Sequence, residues 1–414
     1  MPRFFLFTFV ILLLCTGAYF LAQPQKTTIQ ATLAVSDALG NHAADTVYTR
    51  AFAPRPFLFP TDHASHNDYK TEWWYFTGNL VSRTGQRFGY QLTFFRSALA
   101  PETQSETKDS LLNKNAWKAR QIFMAHFTVT DAEGKKFYCS ERFSRVAQGL
   151  AGCELFAPNA LRVSLDDWSA VSEVSKDIKK SSTSVFPIRL KAAQNGVSIN
   201  LLLDSIKPVV LQGDRGLSAK SREAGNASYY YSLTRLQTQG SIVLPSGDTV
   251  QVEGTSWFDR EWSTSALSAE QIGWDWFALH LDDGRDIMFY RLRKRDGTTD
   301  AMSKGVLVER DGTYRALSEN EVVCAPEGTW KSPSGVVYPG SWEVRIPNKN
   351  IVIAILPILQ NQELDVTVRY WEGAVKITGT QGDKTLSGYG YVEMTGYGDN
   401  GRKKSFELSE KTVY

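Results

Sequence analysis

The stretch EWWYFTGNLVSRTGQRFGYQLTFF, residues 72–95, has the pattern of two β-strands joined by a glycine-containing turn. Successive side chains of a strand point to opposite faces, which places Glu72 and Trp74 on one face of the first strand. Trp73 and Tyr75 share its other face. Both faces therefore carry large aromatic rings. The stretch predicts a buried antiparallel hairpin, and it leaves open whether the Glu72 carboxylate lies in a core or in a binding site.

The chain beyond this hairpin repeats the same pattern. Short alternating segments such as FPIRLKAA (186–193) and VSINLLLD (197–204) are separated by turn pairs. The turn pairs are Asn195-Gly196, Asp283-Gly284, Asp296-Gly297 and Asp311-Gly312. Asn-Gly and Asp-Gly accept the positive φ angles that tight hairpins require. The sequence therefore predicts an all-β antiparallel meander, which is usually closed into a barrel or a sandwich because closure removes exposed edges.

Two stretches of the chain are similar to each other. WWYFTGNLVSRTGQRFGYQLTFFR (73–96) and WDWFALHLDDGRDIMFYRLR (274–293) both run from paired Trp residues through a Gly turn to an apolar strand that ends in Arg. Two related barrels in tandem would produce this repeat, as would independent hairpins that follow the same rules. A length of 414 residues also suits two domains. We therefore expect a signal peptide or membrane anchor at 1–24, a linker at 25–52, a first barrel at 53–243 and a second barrel at 244–414.

Composition limits the partners of the chain. It has 46 Lys and Arg against 44 Asp and Glu, a formal net charge of +2, and the charges are interspersed. The sequence has no basic stripe of the kind that binds nucleic acid, so we expect no nucleic-acid partner. Aromatic residues make up 12% of the chain, which fits either an aromatic-rich β core or a site for a large apolar ligand.

The N-terminal segment indicates export. One basic residue, Arg3, precedes an uncharged apolar run from Phe4 to Ala22. Such a run is a secretory signal or a single membrane anchor, and the sequence leaves its cleavage open. We expect the chain to be periplasmic, or to be anchored in the membrane by this segment and face the periplasm or the exterior.

Cysteine and histidine positions give weaker signals. Cys139, Cys153 and Cys324 remain after the leader, and the first two are close enough in sequence to close a hairpin-sized loop. Whether they form a disulfide stays open. No cysteine pair has the spacing of a metal site, so we expect no structural zinc. His63 and His66, next to acidic residues, are interpreted as part of a solvated turn rather than as metal ligands.

Several segments, taken in order, resemble one family. They are HNDYKTEWWYFTGNL (66–80), LQGDRGLSAK (211–220), YYYSLTR (229–235), SWFDREWS (256–263), GWDWFALHLDDGRDIMFYRLR (273–293), YPGSWEVRIP (338–347), YWEGAVKITGT (370–380) and GYGYVEMTGY (388–397). They are similar to the secreted lipocalin-like proteins grouped with carotenoid 1,2-hydratase, also called the AttH-like family and labelled predicted secreted hydrolases. The resemblance covers roughly residues 60–400.

This resemblance implies two tandem lipocalin-like antiparallel β-barrels and a long, hydrophobic, unsaturated substrate. Known members of the family add water to the terminal double bond of acyclic carotenoids, and distant fungal relatives act on polyenes in cyclisation. The hydrolase label implies ester or amide cleavage. The sequence has no G-x-S-x-G nucleophile motif to support that label.

Asp259 is the leading catalytic candidate. In VEGTSWFDREWS (252–263), strand alternation puts Asp259 on the same face as Trp257 and Glu261. Burial against an indole would raise the pKa of the carboxyl group, as a general acid at neutral pH requires. Hydration of an alkene needs such an acid to protonate carbon before water traps the carbocation, and it requires no cofactor. The resemblance adds that the hydratases use an aspartate in a W-x-D motif. The alternative is a salt bridge from Asp259 to Arg260 or Arg291 that joins the domains.

The remaining candidates are one acid and a set of mostly aromatic residues. Glu72 could orient water or act as a base, or it could cap backbone amides at a barrel mouth. The candidate substrate-binding residues are Trp73, Trp74, Tyr75, His126, Trp257, Trp262, Trp274, Asp275 and Trp276. The aromatic rings among them could instead fill a barrel. His126 could point into the first barrel and contact ligand, or it could be a hydrogen-bonded core histidine.

Two functions fit these observations. The first is acid-catalysed hydration or rearrangement of a C=C bond in a polyene or isoprenoid, without a cofactor. The second is a non-catalytic periplasmic carrier or chaperone that binds a lipid and serves a lipid or lipoprotein export system. A carrier needs a cavity but no buried acid. The two hypotheses therefore differ on whether Asp259 faces the cavity free of an arginine partner.

Overall fold

The computed structural model describes residues 47–99, 120–146, 149–174, 184–265 and 267–398. The predicted leader and the predicted linker up to residue 46 lie outside the described residues. The described residues belong to one compact unit. Apart from three single-turn helices, at Thr61–His63, Glu319–Glu321 and Pro347–Lys349, their regular structure is β. None of the helices in the described ranges is long and apolar enough to cross a membrane.

The first sheet contains thirteen antiparallel strands. They are β1 (Thr71–Ser82), β2 (Arg87–Ala98), β3 (Gln121–Asp131), β4 (Lys136–Arg145), β5 (Ala151–Ala157), β6 (Ala160–Leu165), β7 (Trp168–Ser172), β8 (Ile188–Gln194), β9 (Val197–Ser205), β10 (Val210–Leu211), β11 (Leu217–Ala219), β12 (Ala227–Val243) and β13 (Thr249–Ser263). Their order is β4-β3-β2-β1-β13-β12-β9-β8-β7-β6-β5, with β10 and β11 paired to β12. The sheet curls into a nearly closed barrel. Arg142 of the edge strand β4 donates to the Gln194 side chain at the end of β8, at 2.8 Å, although the two strands are not neighbours in the sheet.

The second sheet contains ten antiparallel strands. They are β14 (Gln271–Leu281), β15 (Asp286–Lys294), β16 (Lys304–Val308), β17 (Tyr314–Ser318), β18 (Val323–Lys331), β19 (Val337–Ile346), β20 (Ile351–Pro357), β21 (Glu363–Leu364), β22 (Tyr370–Gln381) and β23 (Lys384–Met394). Their order is β17-β16-β15-β14-β23-β22-β20-β19-β18, with β21 paired to β22. This sheet is a half-barrel, and β17 and β18 are its two edge strands. The all-β class and the two antiparallel sheets are confirmed, with the second barrel more open than a closed lipocalin.

The two similar stretches of sequence form equivalent hairpins. β1 pairs with β2 and with β13, the last strand of its sheet. β14 pairs in the same way with β15 and with β23, the last strand of the second sheet. Both turns contain a glycine with positive φ, Gly85 at 89° and Gly284 at 90°. In each hairpin a buried acid of the first strand pairs with an arginine near the end of the second.

The two sheets pack against each other through β1 and β13. One face of these strands points into the first barrel, and the other face contacts the second sheet. Trp74 and Phe258 point into the first barrel and join its core. Tyr75 and Trp257, one residue away, belong to a separate cluster that includes residues of the second sheet. The sheets approach closely where β2 faces β22, because a Cβ on Gly89 would lie 2.4 Å from the Ala374 Cβ. We call this contact between the sheets the junction.

The sheets change later in the chain than the predicted domain boundary at 243/244. That boundary falls inside the β12–β13 hairpin, and both strands of this hairpin belong to the first sheet. β13 also pairs along its length with β1. The chain passes to the second sheet between Ser263 and Gln271. Turn signals alone could not locate this point, since the loop between β12 and β13 is an ordinary hairpin turn.

An ion cluster crosses the junction. The Asp286 carboxylate of the second sheet accepts from Lys207 Nζ at 2.8 Å and from Arg235 at 2.6 Å. Thr234 of the first sheet donates to the same carboxylate at 2.9 Å. Lys207 Nζ also donates to the carbonyl oxygens of Gly284 and Glu309. The buried charges are therefore paired and hydrogen-bonded, which is the condition under which a buried ion cluster is tolerated.

The three cysteines in the described part of the chain do not form a disulfide. Cys139, Cys153 and Cys324 are all free. Cys153 packs against the core of the first barrel, and burial raises the pKa of its thiol to about 12. Cys139 lies on β4 and hydrogen-bonds to the backbone of Asp365 in the second half. The two thiols therefore have different surroundings, although the residues are close in sequence.

Candidate active site

A cavity of about 110 Å³ opens at the junction. Its wall is largely aromatic and combines both sheets. The lining residues are Trp73, Tyr75, Phe95, Lys220, Tyr230, Asp259, Glu261, Leu267, Trp274, Trp276, Tyr290, Leu292 and Glu393. Lipocalin-like folds suggest a ligand inside a barrel, but the interior of the first barrel is filled by its own core. The cavity instead lies outside that barrel, between the two sheets.

Strand register brings the candidate acid to the cavity. Tyr75 of β1 lies directly opposite Asp259 of β13, and Ser232 of β12 lies opposite Asp259 on the other side. Residues in such positions on neighbouring strands have Cβ atoms about 5 Å apart. The period of two then places Glu261 on the same face as Asp259. This face of the first sheet meets Trp274 and Trp276, which β14 presents from the second sheet.

Three donors surround the Asp259 carboxyl group. Ser232 Oγ donates to Oδ1 at 2.5 Å, and Trp257 Nε1 donates to the same oxygen at 2.7 Å. The Tyr230 hydroxyl donates to Oδ2. Tyr230 is held in turn by Trp276 Nε1 at 3.2 Å. Every hydrogen bond to Asp259 thus comes from an uncharged group.

Burial raises the pKa of Asp259 to about 7, although these three hydrogen bonds oppose the shift. Desolvation is the largest cause, because the buried charged form loses water and accepts hydrogen bonds only from uncharged groups. Only 3% of the residue is exposed. The neighbouring Glu261 carboxylate acts in the same direction as burial. At neutral pH a substantial fraction of Asp259 is therefore protonated, and the proton lies at the wall of an aromatic cavity.

The arginines that could have neutralised Asp259 are engaged elsewhere. Arg260 points to the opposite face of β13 and pairs with Glu72. Arg291 pairs with Asp275 at 3.2 Å. Among the described residues no salt bridge reaches the Asp259 carboxyl group. The alternative interpretation, a salt bridge from Asp259 to Arg260 or Arg291, is therefore wrong.

Lys220 is the cationic residue in the cavity wall. Its ammonium group pairs with Glu261 at 3.0 Å. It also lies 4.3 Å from the ring centroid of Tyr290 and 5.4 Å from that of Tyr230. The Coulombic attraction of Glu261 helps to raise the pKa of Lys220 against the effect of burial. Lys220 and Glu261 therefore form a buried ion pair beside Asp259.

A second pair of acids lies on the side of the second sheet. Glu372 of β22 and Glu393 of β23 are directly opposite each other. Trp274 Nε1 donates to Glu393 Oε1 at 2.5 Å, and the Tyr75 hydroxyl donates to Glu372 Oε1. Glu372 is fully buried, whereas Glu393 lines the cavity. Across the described side chains, no group of three or more His, Cys, Asp or Glu could hold a metal ion.

Glu72 lies away from the cavity. Its carboxylate sits in the first barrel between the guanidinium groups of Arg96 and Arg260, and all three side chains are fully buried. The backbone amide of His66 donates to both of its oxygens at 3.1 Å. Despite burial, the charges of Arg260 and Arg96 hold the pKa of Glu72 well below its usual range. Glu72 is thus a permanently ionised partner of two arginines, and the structure does not support a role for it as base or water ligand.

Of the two histidines near Glu72, His63 is buried and His66 is partly buried. His63 accepts or donates a 2.5 Å hydrogen bond with the Tyr231 hydroxyl and is only 2% exposed. His66 pairs with Asp62 at 3.1 Å and stacks on the ring of Trp262 at 3.8 Å. The solvated-turn interpretation was wrong, because the segment before β1 folds over the open end of the first barrel.

The structure divides the other sequence candidates between two environments. Trp73, Tyr75, Trp274 and Trp276 line the cavity, and Trp257 lies directly behind it. Trp74 and Trp262 instead belong to the core of the first barrel. The Arg260 guanidinium lies 4.0 Å from the Trp74 ring centroid. These two tryptophans are on the opposite faces of their strands from the cavity residues, so they cannot contact a ligand there.

Asp275 and His126 also lie outside the cavity wall. Asp275 points away from Trp274 and Trp276 and contacts Arg291, Arg293 and the hydroxyl of Tyr397. His126 does not point into the first barrel, and it is a buried, hydrogen-bonded histidine. Its ring bonds to the Tyr370 hydroxyl at 2.6 Å and to Glu141 at 3.1 Å.

Several lining residues were not singled out from the sequence. They are Phe95, Lys220, Tyr230, Leu267, Tyr290, Leu292 and Glu393. Lys220, Tyr230 and Glu393 fall within segments that carried the family resemblance, LQGDRGLSAK, YYYSLTR and GYGYVEMTGY. That signal could have identified the segments, but not the side chains that reach the cavity.

The pattern that describes the AttH-like family matches residues 50–397. The chain belongs to the AttH-like family. The family resemblance predicted from the sequence is therefore confirmed. A crystal structure of a protein described as AttH from Nitrosomonas europaea has the same fold, with a TM-score of 0.70 and 31% identity. The superposed region covers 84% of this AttH-like chain and 99% of the Nitrosomonas europaea chain.

Two enzymes match part of the chain more distantly. The kievitone hydratase of Fusarium solani subsp. phaseoli is 25% identical over 213 residues, which are 50% of this chain and 59% of the hydratase. The dehydratase asqC of Emericella nidulans is 23% identical over 225 residues, which are 50% of this chain and 60% of the dehydratase. The chain thus spans less than two thirds of the length of each enzyme.

Proposed function

We propose that this AttH-like protein is a hydratase or dehydratase that acts on a C=C bond of a hydrophobic polyene or isoprenoid, with Asp259 as the general acid. One observation carries the proposal. The Asp259 carboxyl group is buried in the wall of an aromatic cavity, its hydrogen-bond donors are uncharged, and its pKa is raised to about 7. The similarity to a hydratase and to a dehydratase supports it, because these names describe one reaction in two directions.

The reaction would begin with transfer of the Asp259 proton to one carbon of the double bond. A C–H bond forms, the O–H bond of Asp259 breaks, and a carbocation remains on the neighbouring carbon. The π faces of Trp73, Trp274 and Trp276 favour a cation beside them. Water then adds to the cation, forms the C–O bond and loses a proton to a base in the cavity wall or to solvent. Dehydration would follow the same steps in reverse.

The size of the cavity limits what it can hold. A cavity of about 150 Å³ accommodates a molecule as large as benzene, and this one has about 110 Å³. Only the reacting end of a long substrate would therefore lie beside Asp259. The remainder of a polyene would extend out of the cavity along the junction. A non-catalytic carrier would need room for most of its ligand, so the small cavity and the buried acid favour the enzyme.

The direct test is conversion in water enriched in heavy oxygen. Purified protein is incubated with an acyclic isoprenoid that ends in a dimethyl-substituted double bond, and the products are analysed by mass spectrometry. A hydratase should yield an alcohol that carries the heavy oxygen. Tight binding of the probe with no labelled alcohol, and no alkene from the corresponding tertiary alcohol, would favour the carrier.

The hydrogen bonds around Asp259 predict a shift in pH dependence. Because Asp259 must be protonated to act, kcat/KM of the wild type should fall as pH rises through about 7. Tyr230→Phe removes a donor that favours the ionised form, so the pKa of Asp259 should rise. The alkaline limb of the pH–rate profile should then move to higher pH. Tyr338→Phe, a buried tyrosine in the second half that donates to Glu363, is the control and should leave the limb in place.

Export belongs to the same proposal. The uncharged run from Phe4 to Ala22 supports it. Fractionation of cells that express the full chain should recover the protein in the periplasmic or membrane fraction. Deleting residues 1–24 should move it to the cytosol, and recovery of the full-length protein in the cytosol would contradict the proposal.

A further inference from the structure

Glu372 and Glu393, the pair of acids at the junction, have no cationic partner among the residues that the structure describes. Glu372 and Glu393 occupy directly opposite positions on β22 and β23. The groups that hydrogen-bond to them are the Tyr75 hydroxyl and the Trp274 indole, both uncharged. No salt bridge from the described lysines and arginines reaches either carboxyl group. One oxygen of Glu372, Oε2, is buried and accepts no hydrogen bond from a donor group.

This arrangement requires the pair to hold a proton. Two buried carboxylates side by side repel each other and both lose hydration, so one of them must be neutral at ordinary pH. Burial together with the Glu393 charge raises the pKa of Glu372 well above its usual range. Glu372, fully buried, therefore keeps the proton. With that proton on Glu372, the remaining negative charge of the pair falls on Glu393, which faces the cavity, although burial raises the pKa of Glu393 as well.

Glu393 of the glutamate pair and Asp259 line the same cavity from opposite walls. Asp259 lies in the wall formed by the first sheet, and Glu393 lies in the wall formed by the second. Tyr75 connects them, because it is opposite Asp259 in register and its hydroxyl donates to Glu372. A small reacting group in the cavity would therefore have a protonated carboxyl group on one side and an ionised one on the other. These are the two states that an acid and a base require.

We propose that Glu393, sharing a proton with Glu372, is the base that activates water in the reaction that Asp259 starts as acid. The proposal rests on the proposed hydratase function and deepens it. After Asp259 has given its proton to carbon, a water O–H bond breaks, the water oxygen forms the C–O bond, and Glu393 takes the proton. Asp259 ends ionised and the glutamate pair ends doubly protonated. One proton passing back to Asp259 restores the starting state.

The two steps can be measured separately in deuterium oxide. If the base is missing, the carbocation forms but returns to alkene by losing a proton to Asp259, so the recovered alkene gains deuterium without gaining water. Glu393→Gln should therefore lower hydration of the dimethyl-substituted isoprenoid by roughly 10²-fold while deuterium exchange into the recovered alkene continues. Glu372→Gln should also raise the ratio of deuterium exchange to hydration, but to a smaller extent.

Glu363→Gln is the control for both substitutions. Glu363 is a buried glutamate of the second sheet, and it accepts hydrogen bonds from Ser332, Ser334 and Tyr338.

Each outcome of this experiment has a distinct meaning. An increased ratio of exchange to hydration in Glu393→Gln supports the base. An equal fall of exchange and hydration would assign Glu393 a structural role and overturn the inference, while the proposed function stands. Loss of both exchange and hydration in Asp259→Asn, with both present in the wild type, supports the acid. A wild type that neither exchanges nor hydrates the probe would contradict the proposed function itself.

The shared proton can be tested without any substrate. An infrared spectrum of the free Asp259→Asn protein at neutral pH should contain the C=O band of a protonated carboxyl group from the glutamate pair. Adding Glu372→Gln should change that band, because it removes the member of the pair that holds the proton. Adding Glu393→Gln should shift the band, since Glu372 remains buried and neutral. A spectrum that neither second substitution changes would overturn the inference whether or not the probe reacts.

Discussion

Asp259→Asn should lower turnover by roughly 10² to 10⁴-fold, the effect typical of removing a general acid, while affinity for the apolar probe stays close to that of the wild type. Asparagine matches aspartic acid in size and can still accept from Ser232 and Trp257. It has no proton that it can transfer to carbon. The loss should therefore appear in kcat rather than in binding.

The measurement is a single turnover of bound isoprenoid, followed in parallel with its dissociation constant. Asp131→Asn is the matched control: Asp131 is also a buried aspartate, 5% exposed, but it accepts from Gly134 and Gln86 at the far end of β3. Equal single-turnover rates for the wild type and Asp259→Asn would exclude Asp259 as the acid. A change confined to affinity would indicate a carrier.

Glu72→Gln should reduce the free energy of unfolding by about 3–5 kcal/mol, as expected when one member of a buried ion pair is removed. The substitution leaves Arg96 and Arg260 buried without their carboxylate. The cost comes mainly from these uncompensated guanidinium charges rather than from a lost contact. Per folded molecule, turnover should be almost unchanged, because Glu72 lies in the first barrel and not in the cavity.

Equilibrium unfolding in denaturant measures this effect. Glu154→Gln is the control, since Glu154 forms an exposed pair with Arg162 at 3.0 Å and exposed pairs contribute about 0–1 kcal/mol. A loss for Glu72→Gln no larger than that of Glu154→Gln would refute the structural assignment. A loss of turnover that greatly exceeds the loss of folded protein would restore the catalytic interpretation of Glu72.

The same ion pair predicts how stability depends on pH. The pKa of Glu72 is held well below its usual range in the folded protein. Its contribution to stability is therefore fully present above the unfolded pKa, about 4.3 for glutamate, and is lost as pH falls below that value toward the folded pKa. Glu72→Gln should accordingly make the unfolding free energy less sensitive to acid.

The sequence predicted which residues share a face, because that depends only on the period of two in a strand. Trp257, Asp259 and Glu261 do lie on one face of β13, and Trp73 and Tyr75 share a face of β1. The period does not state what each face meets. Trp74 and Trp262 carry the same aromatic signal as Trp73 and Trp274, yet they fill the first barrel. Only the packing of one sheet on the other distinguishes core from cavity.

Long-range pairing explains the residues that sequence reasoning missed. Glu372 and Glu393 are isolated acids on separate strands, and neither has a local partner in the sequence. They become a pair through the register of β22 with β23, and they reach Tyr75 only because β1 packs near β23 at the junction. The arginine partner of Glu72 shows the same effect, since Arg260 approaches it from 188 positions away.

The placement of the cavity between the sheets makes the two halves of the chain thermodynamically dependent on each other. Asp259 belongs to one half and Glu393 to the other, so neither half folded alone could possess the site. A ligand held there touches both, and its binding free energy adds to that which keeps the sheets in contact. Occupancy should consequently suppress partial opening of the molecule. Substitutions at the junction that never touch the ligand can still weaken its binding by changing the spacing of the two walls.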